Sequence, residues 1–554
     1  MLGGTLIGCL SRCGIKKPVY SNKIYVSIVD MSLPAVDVTY LQRLSGTKIS
    51  IDWGDGTSSE YAGSAPTSTN VSWNSHIYHV YSEPGDYVVS ISDNCKMFGT
   101  YAAQAYSSTY PYTYNNRTNV VGVEYGPDCN PTVTGAQLCS TCYNLRFARF
   151  SNWGIVPQNS FYNCFNLSEV GDMSNVTAIY SQAFYSCKSL ESNTLAKGLP
   201  ECTNLSTSAF SGCRSLKSVG NFPKCTTIGA TAFDACDNIE KIGDFPLCTS
   251  VGGTFARECF NLVEVGNFPS LTSIGTYAFQ NCVHLRKIGD ISNVTTLGGY
   301  AFTGCSDLER IPYTPNITAI DTSTFSSCSD AVLDRSFPNV STIGSSAFNG
   351  CRNITKITNE EFPACTGITS PFGTMNNVEI ISLRNSTSSM PFSNYMHHVR
   401  EMEFPCSAIT TSNNNQTLYQ DNNLRYLVLG SIVSVGGSSS GWSSNTIGTY
   451  EPRMDGTTLQ IFLNQTIDDL LDPSRNLNTW KFPWCNSTGV GGNNVRIKWH
   501  CTDGSVKMDS SGNVSRDSTE KSTDFYDYSR RKWILHPRWF IGDDEFIEKY
   551  GLEQ

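Results

Sequence analysis

A repeat constrains this chain more than any other feature. Between Leu138 and Thr369 a small residue, a Phe, two further residues and a Cys recur. They appear as Ser160-Phe161-Tyr162-Asn163-Cys164 and as Ala-Phe-x-x-Cys ending at Cys187, Cys213, Cys236, Cys282, Cys305 and Cys351. Cys328 follows Thr324-Phe325, and Cys259 follows Thr254-Phe255 with one residue more. Successive cysteines from Cys213 to Cys351 lie 23 residues apart in all six intervals. A fixed period of this length means stacked units rather than one globular core.

Each unit has the same internal order. After the Cys comes an apolar pair three residues apart: Leu216 and Val219, Ile239 and Ile242, Leu262 and Val265, Leu285 and Ile288, Leu308 and Ile311, Ile354 and Ile357. A Phe-Pro corner follows, as at Phe222-Pro223, Phe245-Pro246, Phe268-Pro269, Phe337-Pro338 and Phe362-Pro363. Then a Thr or Ser leads into an apolar residue and usually a Gly, as at Ile228-Gly229, Val251-Gly252, Ile274-Gly275 and Ile343-Gly344. The unit therefore reads as a short strand, a corner, a second extended piece and a turn. One unit has too little apolar surface to outweigh its ordering entropy, so neighbours must stack and share a core.

The pattern Ile-Gly-x-x-Ala-Phe-x-x-Cys-x-x-Leu-x-x-Ile-x-Phe-Pro resembles the BspA-type leucine-rich repeat of bacterial, protozoan and phage surface proteins. The resemblance covers residues 138–375 and is specific, because order and spacing agree throughout. It implies a curved solenoid with a strand ladder on one face, used for attachment to proteins or cell surfaces, and it implies no reaction.

Twenty-two cysteines in a chain of 554 residues would ordinarily suggest disulfides. Most of these sit at one phase of the repeat, where an inward Cys acts as a small apolar side chain. Reduced, packed thiols are the expectation, and the second set, Cys202, Cys225, Cys248 and Cys365, reads likewise. A net charge of −9 argues against a nucleic-acid partner. No run of 18 apolar residues occurs, so no membrane span is expected.

Upstream of the repeats the character changes. Residues 1–22 read as a tail; Cys9 ends a lipobox-like stretch, but no Lys or Arg precedes it and the apolar run is too short for a signal peptide. Residues 23–92 show alternating strands at Ile24–Val29, Ile49–Trp53 and Tyr87–Ile91. Between them stand Trp53-Gly54-Asp55-Gly56 and a His-x-Tyr…Pro-Gly-x-Tyr-x-Val stretch ending at Val89, whose histidine is His76 or His79. This segment resembles a polycystic-kidney-disease (PKD) domain, which implies a small immunoglobulin-like β-sandwich serving as a spacer or binding module. Residues 93–137, with Tyr101, Tyr106, Tyr110, Tyr112 and Tyr114, read as a packed connector capping the first repeat; a Tyr-rich contact surface is the alternative.

After Thr369 the phase is lost, yet Val378–Leu383, Val399–Cys406, Leu424–Leu429 and Leu459–Leu463 each look like a coil's strand. Irregular coils are expected over 376–490, ending near Trp484-Cys485, with a mobile Gly/Ser loop at Val435–Ser444. Residues 491–554 read as a terminal hairpin and a cap or anchor, since solenoid ends need covering. The fold class expected is thus mainly β: a PKD-like sandwich, then a leucine-rich-repeat solenoid of 23-residue coils.

Little in the sequence points to chemistry. Cys139 and Cys142 have zinc spacing but no second pair, and Cys142 is in phase with the repeat. Asp52, Asp55 and Asp86 are candidate calcium ligands without a known loop spacing. His76 and His79, three apart in a strand, point to opposite faces. No nucleophile elbow, phosphate loop or dinucleotide fingerprint is present, although a carboxylate pair formed between coils would suit sugar hydrolysis. No cofactor or metal is expected.

A candidate binding face lies between the members of each apolar pair: Lys217, Glu240, Lys241, Glu264, Arg286, Lys287, Glu309, Arg310 and Lys356. Their mixed signs suit a solvated face and equally a protein or glycan partner. The expectation is a non-enzymatic adhesion protein at a cell surface or outside the cell. The alternative is a bacteriophage virion protein, such as a tail or fibre component, that also attaches to hosts.

Overall fold

The computed structural model describes residues 20–383, apart from 33, 44–46, 63–76, 101–115, 133, 192 and 370–377, and further on the strands between 401 and 533. Cys9, the five connector tyrosines, most of the Gly/Ser loop and most of the C-terminal cap lie outside the described residues. The chain divides into two compact units, Met1–Leu308 and Glu309–Gln554. Among the described residues no helix is long and apolar enough to cross a membrane.

The first unit opens with two antiparallel sheets. In one, β1 (Asn22–Ile28) lies between β6 (Gly85–Ile91) and β8 (Val120–Glu124), and β6 continues to β3 (Ile49–Asp52) and β4 (Ser58–Tyr61). In the other, β2 (Ala35–Arg43) is flanked by β5 (Ile77–Val80) and β7 (Cys95–Gly99). Period-2 alternation sends Ile24, Val26, Ile49, Ile51, Val89 and Ile91 inward with Val36, Val38 and Met97. Strands therefore run past residue 92, into the stretch read as connector. There β8 pairs antiparallel with β1 on one edge and parallel with β9 (Phe147–Arg149) on the other. Through β8 the N-terminal sheet passes directly into the repeats, and β9 pairs with Glu169–Val170 of the following coil.

Two parallel ladders build the coils of this unit. One joins Ile155–Val156, Ala178–Ile179, Asn204–Leu205, Thr227–Ile228, Ser250–Val251, Ser273–Ile274 and Thr296–Leu297; the other joins Ser218–Val219, Lys241–Ile242, Glu264–Val265 and Lys287–Ile288. Each rung is two residues long, with its apolar member facing in. Inside, phenylalanine rings stack coil on coil: Phe161, Phe184, Phe210 and Phe233 follow at centroid spacings of 5.2, 5.1 and 5.6 Å. In the coil where Ala-Phe becomes Phe255-Ala256 the ring arrives from one position earlier and stands edge-on to Phe233 and Phe279 at 85° and 83°. The column survives the swap because edge-to-face packing is as acceptable as offset stacking. A second column, Phe222, Phe245 and Phe268, stands at the proline corner.

The turn carrying Ala-Phe-x-x-Cys is itself a ladder. The Ser208, Phe210 and Gly212 N–H groups donate to the Ala230, Ala232 and Asp234 carbonyls of the next coil, while Ala209, Ser211 and Cys213 donate to carbonyls three residues back. This alternation requires left-handed backbone at two positions four residues apart, such as Ser208 and Gly212, Thr231 and Ala235, or Tyr277 and Asn281. Among the described residues sixteen that are not glycine adopt it, with φ from 52° to 63°. Each costs about 1–2 kcal/mol, which intercoil hydrogen bonds of about 1 kcal/mol each offset. Glycine is required elsewhere, at close approach: a Cβ on Gly243 would stand 2.6 Å from the backbone carbon of Gly220, and Gly266 and Gly289 repeat the contact on their own preceding coils.

Cys164, Cys187, Cys213, Cys236, Cys259, Cys282, Cys305 and Cys351 are fully buried and each also donates a hydrogen bond to a backbone carbonyl. The thiols of Cys213, Cys236 and Cys259 donate to the Phe184, Phe210 and Phe233 carbonyls at 3.1, 3.2 and 3.1 Å. Cys225 and Cys248 donate instead to Thr227 and Ser250 carbonyls of their own coil. Burial raises the Cys202 and Cys248 thiols to about 11 and Cys225 to about 12, and pushes Cys187 and Cys236 well above the ordinary thiol range.

In the second unit Ala319–Ile320, Thr342–Ile343 and Gly367–Ile368 form one parallel ladder. A longer one joins Lys356–Thr358, Ile380–Ser382, Glu401–Phe404, Tyr426–Leu429, Leu459–Leu463 and Ile497–Cys501. The four irregular fragments read from the sequence are rungs of this ladder. It runs one rung beyond Trp484-Cys485, because the first strand of the terminal hairpin, paired antiparallel with Gly504–Met508, is also the last parallel rung.

Two measurements test this packing. Gly243→Ala is expected to cost about 2–3 kcal/mol through backbone overlap, whereas Ala235→Gly, freeing a left-handed Cβ, should be neutral or stabilising by up to about 1 kcal/mol; equilibrium denaturation in urea gives both, and the opposite ranking would contradict the assignment. Among the described residues seventeen of the twenty-two cysteines are buried and stand outside any disulfide. A thiol titration of native protein in mildly alkaline buffer should therefore count no more than the remaining five, and all twenty-two once the chain is unfolded.

Candidate binding faces

The ladder of four strands after the thiol column carries the charges read from the sequence. In register across it stand Ser218, Lys241, Glu264 and Lys287. Lys217, Glu240, Lys241, Glu264, Arg286 and Lys287 are all exposed, with Val263 41% exposed among them. The structure thus places three of the nine candidates, Lys241, Glu264 and Lys287, on one ladder, with Lys217, Glu240 and Arg286 each one residue before a strand of it. Lys241 and Glu264 pair at 3.1 Å, an exposed contact that adds about 0–1 kcal/mol. The remaining three belong to the second unit. Arg310 pairs with Asp334, and Glu309 beside it is exposed. Lys356 is half-buried between Glu360 and Glu361, at 3.2 and 3.3 Å.

The seven-stranded ladder carries a different surface. One exposed column is Thr177, Thr203, Thr226, Thr249, Thr272 and Thr295; beside it, in register, run Asn204, Thr227, Ser250, Ser273 and Thr296. The Thr203, Thr226, Thr272 and Thr295 hydroxyls donate to the backbone carbonyl of the Thr one coil back, at 3.1, 3.3, 2.9 and 3.2 Å. No residue of either column is charged. The sequence reading passed over this face, although the signal was available in the hydroxyl residues that precede the apolar rung in coil after coil.

The other candidate chemistries resolve into architecture. Asp55 accepts from the Thr57 N–H and hydroxyl at 2.9 and 2.6 Å and contacts His79 Nε2 at 2.7 Å. Burial alone would raise its carboxyl, but these hydrogen bonds outweigh it and hold the group below the usual range. His79 stacks on Trp53 at 4.9 Å, and the Tyr81 hydroxyl donates to the Trp53 carbonyl at 3.0 Å. Asp52 accepts from the Gly54 N–H and Asp86 from the Ser27 hydroxyl, so the three carboxylates read as calcium candidates serve separate partners. Among the described residues no group of three or more His, Cys, Asp or Glu side chains converges as metal ligands. Cys139 and Cys142 are buried against Thr100 and Tyr125: the Cys142 thiol donates to the Thr100 carbonyl, and the Cys139 sulfur contacts the Tyr125 hydroxyl at 3.3 Å. Between coils, Asn221, Asp244, Asn267 and Asp290 alternate; the side-chain oxygens of the first three each accept the backbone N–H of the next member, and Asp290 accepts from the Ser292 N–H. The two carboxylates in this column are thereby kept two rungs apart.

Comparison with known proteins agrees with this architecture. The family described as BspA type leucine rich repeat region matches in six copies over residues 132–263, 249–368 and 334–440. No curated protein matches the chain. Among solved structures, a leucine-rich repeat protein from Bacteroides ovatus is similar at 14% identity over 69% of this chain and 88% of its own, with a TM-score of 0.35. A leucine rich cell surface protein from Faecalibacterium prausnitzii is similar at 18% identity over 48% and 90%, with a TM-score of 0.25. The pneumococcal vaccine antigen PcpA is similar at 11% identity over 64% and 68%, with a TM-score of 0.22. With the repeat model matching more than half of its length, on coils whose inward Phe, Cys and aliphatic columns have just been described, the chain belongs to the BspA-type leucine-rich repeat family.

Proposed function

We propose that this protein is a non-enzymatic recognition and adhesion protein, displayed at or beyond a cell surface, that holds its charged ladder against a protein or glycan on another surface. The observation that carries this reading is the six-residue group of exposed, mixed charges on and immediately before the strands of a sheet whose backbone polar groups are already bonded coil to coil. Exposed ion pairs add little stability, so fold stability does not account for the charges. Patterned charge instead gives on-rate and selectivity toward a partner of complementary pattern.

The N-terminal sheets we read as a PKD-like, immunoglobulin-like sandwich serving as a spacer. Its Gly54 and Gly56 take φ of 85° and 96° in the Trp-Gly-Asp-Gly turn. His79 contacts Asp55 in this turn at 2.7 Å, and His76 lies outside the described residues. Because the Asp55 carboxyl is depressed in the folded protein, its contribution is complete above the unfolded value of about 3.9 and is lost as pH falls through the folded value.

Two outcomes are expected. Replacing Lys241 and Lys287 together by Glu should lower the adhesion of protein-coated beads to a panel of cultured cells and bacteria several-fold and flatten its salt dependence. Thermal stability should meanwhile shift by no more than about 0.5 kcal/mol; adhesion unchanged by this double reversal would defeat the assignment of the face. Separately, Asp55→Asn should destabilise the protein near neutral pH and remove part of the acid-induced loss of stability below about pH 4, read from denaturation curves at several pH values.

A further inference from the structure

We propose that the uncharged hydroxyl columns of the seven-stranded ladder, with the Tyr277–Tyr300 pair at their edge, form a second site that takes a neutral polysaccharide chain lying along the coils. The site is distinct from the charged ladder and rests only on the reading of the array as a binding protein.

Three observations converge. First, the two columns hold hydroxyl and amide side chains and no charge on any rung from Asn204 to Thr296. An ionic ligand finds no counter-charge there, whereas the charged ladder mixes both signs. Second, the outer hydroxyls are oriented before any ligand arrives. Because the Thr203, Thr226, Thr272 and Thr295 hydroxyls donate inward to backbone carbonyls, their lone pairs and methyl groups are left for solvent. The result is a fixed array of acceptors set in an apolar lattice, and a sugar presents the complement, O–H donors around C–H faces. Preorganisation of this kind removes ordering cost from binding. Third, four residues past the rung in two successive coils stand Tyr277 and Tyr300, their rings stacked at 4.8 Å with Tyr277 36% exposed. The exposed part of the Tyr277 ring offers an apolar contact to the C–H groups of a sugar. Six rungs at ~4.8 Å give an array about 24 Å long, enough for several sugar units in register with successive coils.

The test is affinity gel electrophoresis of the full-length protein in gels containing mixed-linkage β-glucan, xyloglucan or α-mannan, with polygalacturonate as the anionic control. Retardation is expected with at least one neutral polymer and not with polygalacturonate. Tyr277→Ala and the double variant Thr249→Lys/Thr272→Lys should each weaken it at least tenfold, while Lys241→Glu/Lys287→Glu leaves it unchanged. The last variant separates this site from the charged face, so either reading can fail alone. Thr226→Val/Thr249→Val, which keeps shape and methyl groups, controls for folding; it should unfold as the parent does and still lose retardation. No retardation by any neutral polymer, retardation by polygalacturonate alone, or retardation that survives the Thr→Lys pair would each overturn the proposal, as would binding of a protein partner through the same threonines.

Discussion

The structure rests on backbone hydrogen bonds between one coil and the next. Because they engage the turns as well as the strands, every coil must present the same number of peptide groups to its neighbour. This is why the cysteines of the regular coils recur at one fixed interval. A one-residue change would shift the alternation of inward and intercoil N–H groups seen from Ser208 to Cys213. Charge pairing inherits the same interval: Lys224 with Glu201, Lys241 with Glu264, Arg257 with Asp234 and His284 with Asp307 all join residues 23 apart.

The inward columns were legible beforehand because they obey composition as well as spacing. Phe, Cys, Ala and the aliphatic pair are apolar at one phase and recur, and burial at that phase is the only way so short a unit gains stability. The left-handed turn positions were not legible. The usual signal for such backbone is Gly or Asn, but here Ser208, Thr231, Ala235, Glu258 and Tyr277 occupy it. Hydrogen bonding across the coils decides their conformation, and local preference is overridden. The thiol donors were missed for a related reason: a buried Cys reads as a small apolar residue, and only the position of the preceding coil's carbonyl reveals its second use.

The junction between the N-terminal sheets and the first coil also escaped sequence reasoning. The stretch read as a packed connector capping the first repeat contains β8, a strand that pairs with the N-terminal sheet on one side and with a repeat strand on the other. Such a strand covers the edge that β9 would otherwise present at the start of its ladder, which is the protection that repeat ends and edge strands need. The grouping of the nine candidate charged residues was not legible, since only Lys241, Glu264 and Lys287 stand on one ladder and Lys217, Glu240 and Arg286 lie one residue before its strands.

A fully bonded coil has a consequence for recognition. With its backbone consumed internally, the array can address a partner only through side chains that leave the rungs, and these repeat at rung spacing. A surface of this kind is periodic wherever neighbouring coils carry similar residues and patterned wherever they differ. The threonine columns are of the first sort, the charged column of the second. Periodic presentation favours a polymer whose own repeat is uniform; patterned presentation favours a folded partner met in one register. The two proposed sites thereby ask two kinds of recognition of one scaffold, and substitutions at rung positions can alter either ladder's surface without touching the columns of Phe, Cys and Gly that hold the coils together.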